Sequence, residues 1–141
     1  VMPHPTKPLE FDLIPQGQGD EVQFHGRIDT TLIWKEHLSK CIRTLDSPSP
    51  DLLVIRDEYA TQKGAHVVFY WQTRLPVIIH EGRVSIKGKN GSVWFDVPDD
   101  CTGTVEEMQQ DPDHWPIHRR IAIHKPDSEG VLELVVHLEP L

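Results

Sequence analysis

The sequence has little of what marks several large classes of protein. Its 141 residues contain only two cysteines, Cys41 and Cys101, which make no disulfide framework and match no zinc-binding spacing. Because Cys is among the most buried residue types, two buried free thiols are favoured over a single bridge. No apolar run approaches the ~18 residues that a membrane-spanning helix needs. The first residues also lack the apolar segment of a signal peptide.

Positive charge is scarce as well, because 14 Lys and Arg stand against 22 Asp and Glu, for a net charge of −8. Duplex nucleic acid and anionic membrane surfaces both bind clustered Lys and Arg. We therefore expect neither of them as the main partner. The first residue is Val rather than Met, so we expect a processed chain or a piece of a larger protein. The cofactor and the compartment are both left undetermined by the sequence.

What the sequence does have is a series of short runs rich in β-branched and aromatic residues between positions 51 and 97. Such side chains suit a pleated, half-buried surface, and the Gly, Pro or Asn that closes each run suits a tight turn. Repeats at about 8 residues are typical of an antiparallel sheet. The runs are Leu52–Ile55, His66–Trp71, Val77–Ile79, Val84–Ile86 and Val93–Val97.

The pair Asn90-Gly91 between two of these runs is the strongest hairpin signal in the chain. On either side of it, apolar residues such as Val84 and Phe95 alternate with polar ones, which predicts one buried and one solvated face. We therefore predict an all-β fold, an antiparallel β-sandwich of about 8 strands with at most one or two short helices.

The chain length fits one domain. Residues 1–20 contain four prolines and two glycines and are predicted to form a Pro-rich arm, with residues 21–141 forming a single β-sandwich domain. The segment Ser47–Pro50 is predicted to be a connection outside any central strand, because proline cannot donate to a β-ladder. Residues 98–117 are predicted to form a long loop with at most one helical turn.

Residues 30–45 are compatible with two structures. Trp34, Leu38, Cys41 and Leu45 recur at i, i+4, i+7 and i+11, the spacing of an amphipathic helix. The second half of the segment also alternates as a strand would, and its neighbours are β. Both possibilities stay open at the level of sequence.

Three segments resemble the C-terminal β-sheet region of the heparinase II/III-like polysaccharide lyases. They are IRTLDSPSPDLLVIRDEY at residues 42–59, HVVFYWQTRLPVIIHEGRVSIKG at residues 66–88 and GSVWFDVPDD at residues 91–100. In that family an Arg-Thr strand, a Pro-containing link and an apolar strand ending in Asp are followed by a strand rich in His and aromatics. A short strand that runs into a Pro and an irregular loop comes next.

The resemblance implies a β-domain beside a substrate cleft, with an acidic polysaccharide as partner. The family's cleft lies between a helical toroid and the β-sheet region, where Tyr and His carry out β-elimination next to a uronic acid carboxylate. That reaction needs a neutralised carboxylate, a base at C5 and an acid for the leaving oxygen. A chain of 141 residues has no room for the toroid, and the family's His-rich catalytic stretch has no counterpart here. The resemblance therefore assigns no catalytic residue and implies that the chain alone is inactive.

Four residues are candidates for carbohydrate binding. Trp71, Arg74 and His80 bracket the turn at Pro76, and Trp94 lies on the strand face opposite the apolar set. An indole offers a flat ring for stacking on a sugar, and a guanidinium offers a fork for a carboxylate. Packing of Trp94 on a second layer of the sandwich explains its position equally well.

A local cluster of metal-ligand residues lies in the Pro-bounded loop, at Asp111, Asp113, His114 and His118. Carboxylates and imidazoles suit zinc, but no HExxH or CxxC spacing accompanies them. A polar loop with surface histidines is the alternative. Arg56, Asp57 and Glu58, which follow an apolar run, are predicted to be a solvated strand end or a structural Arg–Asp pair.

Two other functions remain open. The closing strand GVLELVVHLEPL, residues 130–141, is similar to the last strand of small heat-shock and CS-type domains. Those are protein-interaction modules in which an exposed sheet edge accepts a partner strand. A small His-rich β-barrel that binds a metal or another ligand is the third possibility. An upstream helical coding sequence favours the lyase interpretation, concentration-dependent association favours the interaction module, and stoichiometric zinc favours the barrel.

Overall fold

The computed structural model describes residues 12–62, 66–109 and 116–140, and these ranges contain eleven strands and no helix. None of them therefore holds a helix that is long and apolar enough to cross a membrane. The strands are β1 Gln16–Gly19, β2 Phe24–Asp29, β3 Leu38–Ser49, β4 Leu52–Thr61, β5 Val67–Thr73, β6 Val77–His80, β7 Arg83–Lys87, β8 Gly91–Asp96, β9 Thr102–Met108, β10 His118–Lys125 and β11 Glu129–Pro140.

The strands form two antiparallel sheets, which confirms the predicted all-β, sandwich-like fold with more strands than expected. The larger sheet has the order β1-β2-β3-β4-β11-β8-β7-β6, and the smaller has the order β5-β10-β9. Strand β11 lies in the middle of the larger sheet. Residues 129–137 of β11 pair with β4, and residues 137–140 pair with β8.

The core lies between the inner faces of the two sheets, the faces turned towards each other. Ile121 and Ile123 of β10 and Leu132 and Leu134 of β11 are fully buried there, as is Phe95 of β8. Each of these alternates with residues on the other face of its strand, as the pleat requires. The larger sheet therefore presents one buried and one solvated face along β7 and β8, as the alternating sequence predicted.

Two hairpins connect β6, β7 and β8, and only the first uses left-handed backbone. Glu81 and Gly82 have φ values of 48° and 79°, which a two-residue type I′ turn requires. The predicted hairpin at Asn90-Gly91 is present, but neither residue has positive φ. Its loop is closed instead by a hydrogen bond from the Gly88 N–H to the Gly91 carbonyl, 2.8 Å long.

The segment that fitted both helix and strand is divided between a turn and a strand. Residues 31–37 form turns, in which the Trp34 carbonyl accepts hydrogen bonds from the His37 and Leu38 N–H groups. Strand β3 begins at Leu38. The first half of the segment thus forms helix-like turns, and the second half forms a strand of the larger sheet.

Two connections predicted from prolines and polar residues are wrong. Strand β3 continues through Pro48 to Ser49, because the pairing of β3 with β4 shifts register between Asp46 and Ser49. An irregularity of this kind removes the need for the missing proline N–H. Within the predicted loop, residues 102–108 form β9. This strand lies at the edge of the smaller sheet, where polar side chains are tolerated on the exposed face.

The predicted division of the chain at residue 20 stays a prediction, although part of the predicted arm is a strand. β1, at Gln16–Gly19, pairs with β2. Asp20 closes the connection, because its Oδ1 accepts hydrogen bonds from the N–H groups of Val22 and Gln23. Both cysteines are free thiols and are half-buried rather than fully buried.

Candidate functional site

The smaller sheet leaves part of the larger sheet's inner face uncovered. At one margin β6 and β9 lie close to each other, whereas β5 forms the other edge of the smaller sheet. Beside β5 a cleft of about 550 Å³ opens between β5, the inner face of β3 and β4, and the β2–β3 turn. The side chains that line it include Ile28, Trp34, His37, Arg43, Asp57 and His66.

An ion pair forms the floor of this cleft. Arg43 on β3 lies directly opposite Asp57 on β4, and Asp57 lies opposite the buried Leu132, so the pair is on the inner face. Arg43 Nε donates to Asp57 Oδ1 at 2.7 Å, and Arg43 Nη2 donates to Oδ2 at 2.8 Å. These bonds raise the pKa of Arg43 against the opposing effect of burial. The fork does not involve Nη1.

Trp34 provides an aromatic ring at the rim, with 49% of its surface exposed. Two hydrogen bonds to Cys41 of β3 fix the turn that carries Trp34. The Thr30 N–H donates to the Cys41 carbonyl at 2.8 Å, and the Cys41 N–H donates to Thr31 Oγ1 at 2.8 Å. An exposed ring on a fixed turn can stack on a flat apolar surface without first being ordered.

The other wall consists of His66, which precedes β5, and of β5 as far as Tyr70. His66 Nδ1 lies 3.1 Å from the Pro126 carbonyl. Because a carbonyl only accepts, Nδ1 carries the proton and Nε2 is left to accept or donate elsewhere. The exposed Tyr70 ring has the Arg120 guanidinium over it, 4.6 Å from the ring centre.

The structure does not bring the four predicted carbohydrate-binding residues together. Trp71 lies inside the sandwich, with its ring centre 5.0 Å from that of Phe95. Trp94 is the neighbour of buried Phe95 on β8 and therefore lies on the outer face of the larger sheet. Arg74 lies in the connection after β5, where its carbonyl accepts a bond from Arg119. A common binding role for these residues stays a prediction.

On the outer face, Trp94 is flanked from both neighbouring strands. The guanidinium of Arg83, on β7, lies 3.9 Å from the indole centre, and the ring of His137, on β11, stacks on it at 3.8 Å. The indole N–H donates to Glu139 at 2.8 Å. His80 lies opposite Arg83 in the ladder and is exposed. The indole of Trp94 is thus already covered by protein groups.

The predicted metal site cannot be followed through the structure. Asp111, Asp113 and His114 lie outside the described residues, and His118 is the first residue of β10, opposite Met108. Among residues 12–62, 66–109 and 116–140, no group of three or more His, Cys, Asp or Glu is arranged to hold a metal. Metal binding by the four residues therefore stays a prediction.

A second polar cluster lies between the β8–β9 and β10–β11 connections. Lys125 is only 5% exposed, and its ammonium pairs with Asp100 and lies 3.7 Å from an oxygen of Asp127. The bond from Lys125 lowers the pKa of Asp100. Burial, assisted by the hydrogen bond to Asp100, raises the pKa of the Cys101 thiol to about 11.

The residues that form the cleft were missed by sequence reasoning. Trp34 was considered only as part of a helix or a strand, and Asp57 only as part of a solvated strand end or of a structural Arg–Asp pair. A signal was nevertheless present, because Arg43 and Asp57 interrupt the apolar alternation of two consecutive strands. Opposite charges at inner positions of paired strands predict an ion pair between them. The partner of Asp57 is Arg43 rather than the adjacent Arg56.

No family model matches this chain, and no curated protein matches it in sequence. Solved structures do match it. A mutant of the heparan sulfate lyase HepC from Pedobacter heparinus is 9% identical with a TM-score of 0.64, covering 89% of this chain and 21% of that one. The fold is that of part of a lyase.

A heparinase III structure agrees, with 12% identity, a TM-score of 0.67 and coverage of 92% of this chain and 21% of that one. Its form with methylated lysines gives 11% identity, a TM-score of 0.62 and coverage of 88% and 20%. This chain therefore spans about a fifth of the length of the lyases it matches. The resemblance noted in the sequence is confirmed at the level of the fold.

Proposed function

We propose that this chain is the β-sandwich part of a polysaccharide-lyase-like protein, and that it binds a polysaccharide in the cleft beside β5. The observation that carries the proposal is the fold shared with part of heparin and heparan sulfate lyases over 88–92% of the chain. Heparin and heparan sulfate are polysaccharides, so a polysaccharide partner is the first expectation for a chain with this fold.

The cleft has the features that a sugar ligand needs. Its opening is concave, Trp34 offers an exposed ring at the rim, and the lining includes a guanidinium and two imidazoles. Sugar rings present C–H faces that stack on aromatic rings and hydroxyls that bond to polar side chains. Trp94, on the outer face, takes no part in this cleft.

We further propose that the chain supplies binding and not catalysis. A β-elimination needs a base and an acid within reach of the sugar. In the cleft, both oxygens of the one lining carboxylate, Asp57, accept bonds from Arg43, which leaves this carboxylate unsuited to act as the base. The catalytic groups would then come from the four-fifths of a lyase that this chain does not span. The matched structures are lyases, so they lend no support to the interaction module or to the metal-binding barrel.

The test is calorimetric titration of the chain with three oligosaccharides of equal length: a neutral glucan, an unsulfated uronic-acid polymer and heparin. We expect at least one to bind, and Trp34→Ala to raise its dissociation constant about tenfold, the loss of ~1.4 kcal/mol of stacking. Trp94→Ala serves as the matched control and should leave binding unchanged. Circular dichroism verifies that both variants fold.

Three results would contradict the proposal. Absence of binding to all three oligosaccharides removes polysaccharide binding altogether. If Trp94→Ala loses binding and Trp34→Ala binds as the unaltered chain does, the site lies on the outer face, which carries Trp94. Release of unsaturated uronate by the isolated chain, followed by ultraviolet absorbance, would show that the chain is catalytic by itself.

A further inference from the structure

We infer that the cleft selects a glycan of low charge density, neutral or carrying isolated carboxylates, over a densely sulfated one. This inference rests on the proposed function, since it names the class of polysaccharide for the same cleft. It differs from what the names of the matched lyases suggest, because heparan sulfate is a sulfated polymer. The reasons lie in how this chain distributes its cations.

The first reason is that the cation of the cleft is already neutralised. Among the described residues that line it, Arg43 is the one Lys or Arg, and two of its three nitrogens bond to Asp57. The Asp57 side chain is only 12% exposed. A sulfate that displaced it would leave a buried carboxylate without its partner, at a large cost. Three N–H donors of the guanidinium remain for a ligand, two on Nη1 and one on Nη2, which suits one carboxylate or a hydroxyl.

The second reason is that cations on strands near the cleft, although outside its lining, are also paired with carboxylates. On the smaller sheet, Arg119 pairs with Glu107 at 3.1 Å and Arg120 with Glu106 at 2.6 Å. On the outer face of the larger sheet, Lys40 of β3 pairs with Glu58 at 2.5 Å. A polyanion binds where unpaired Lys and Arg cluster along its path, and these pairs provide no such path.

The third reason is the field of the whole chain. A net charge of −8 repels every additional sulfate, and the repulsion acts over a Debye length of about 8 Å at physiological salt. A densely sulfated chain places several charges within that distance of the cleft. A neutral sugar ring avoids this cost and retains the stacking surface of Trp34 and the apolar side chain of Ile28.

The experiment is the titration of the full chain with the same three oligosaccharides, repeated at low and physiological salt. We expect the neutral or the unsulfated uronic oligosaccharide to bind at least about tenfold tighter than heparin. We also expect added salt to change that affinity little. Heparin binding tightest, with an affinity that falls steeply with salt, would overturn the inference while leaving the proposed function intact. Absence of all binding is the separate failure of the proposed function.

A pair of isosteric variants tests the role of the ion pair. Asp57→Asn removes the charge that neutralises Arg43, so heparin should bind several-fold tighter than to the unaltered chain. Glu58→Gln removes the same charge from the neighbouring position, which points to the outer face, and should produce a smaller change. Equal changes in the two variants, or none in Asp57→Asn, would overturn the assigned role of Arg43. Circular dichroism and the midpoint of urea unfolding check that each variant keeps its fold.

Discussion

Burial, more than any neighbouring charge, controls the chemistry of Cys101. The thiol is half-buried beside Asp100, and the carboxylate that accepts its hydrogen bond also pairs with Lys125. Ionising the thiol would place a second negative charge next to this carboxylate in a partly desolvated site. The pKa of Cys101 is therefore raised to about 11, although the Lys125 ammonium acts in the opposite direction.

This pKa predicts an unreactive thiol, since the thiolate is the nucleophile. In a Cys41→Ser variant, where Cys101 is the only remaining cysteine, the rate of iodoacetamide alkylation should rise about tenfold per pH unit up to roughly pH 10. The measurement is a series of alkylation rates followed by mass spectrometry. A rate that levels off near pH 9 would show that the thiol ionises as an exposed cysteine does.

At the scale of elements, the β6–β7 turn depends on backbone conformation alone. Gly82 has a φ of 79°, and a Cβ built on it would meet no atom within 4 Å. A substitution there is therefore disfavoured by left-handed backbone and not by a clash. Glu81, with a φ of 48°, adopts the same region without being a glycine, and its side chain extends into solvent.

We expect Gly82→Ala to lower the free energy of unfolding by about 1–2 kcal/mol, the cost of an L-residue in left-handed backbone. Glu81→Asn should leave it unchanged or raise it slightly, because Asn tolerates this region better than Glu. Urea unfolding measures both. Gly17→Ala is a useful control, since Gly17 lacks positive φ and its added Cβ would make only ordinary contacts. A neutral Gly82→Ala would contradict the turn geometry.

Elements whose signal is local were predictable from the sequence, and elements that depend on tertiary pairing were not. The continuously apolar run Leu52–Ile55 lies within β4, and the alternating run Val93–Val97 lies within β8 except for its last residue. β9 carries polar residues on its exposed face, so its sequence lacks the apolar run that predicted the other strands. The turn at Asn90-Gly91 shows a related limit, because the sequence indicated a hairpin there but not which backbone conformation would close it.

The cleft was harder to predict than the fold, because its members are far apart in sequence. Trp34 lies in a turn and His66 directly precedes β5, and only the arrangement of the two sheets places both at one opening. Arg43 and Asp57 were within reach, since consecutive strands usually pair. Their place in an open cleft could not be predicted, because it depends on which part of the larger sheet the smaller sheet leaves uncovered.

At the scale of the whole molecule, β11 is the strand that unites the larger sheet. It lies between β4 and β8, so that β1–β4 are on one side of it and β6–β8 on the other. Its buried residues Leu132, Leu134 and Val136 also contribute to the core beneath the smaller sheet. Stability of both parts therefore depends on one element.

We expect Leu134→Ala, at a position only 1% exposed, to lower the free energy of unfolding by about 2–5 kcal/mol. Val135→Ala, on the same strand but 40% exposed on the outer face, should cost less than about 1 kcal/mol. Urea unfolding should show one transition by tryptophan fluorescence and by circular dichroism alike. Separate midpoints for the two signals would mean that the two sides of the sheet unfold independently.

The central strand of the larger sheet is also the last of its strands in the sequence, and this has a consequence for synthesis. While the ribosome makes the chain, β1–β4 and β6–β8 are synthesised before β11. Until β11 is made, the edges of β4 and β8 that it pairs with have no partner strand. Open edges of this kind attract other strands. The nascent chain therefore has its greatest need for chaperone protection just before residues 129–140 leave the ribosome, and the sheet closes only after translation has passed them.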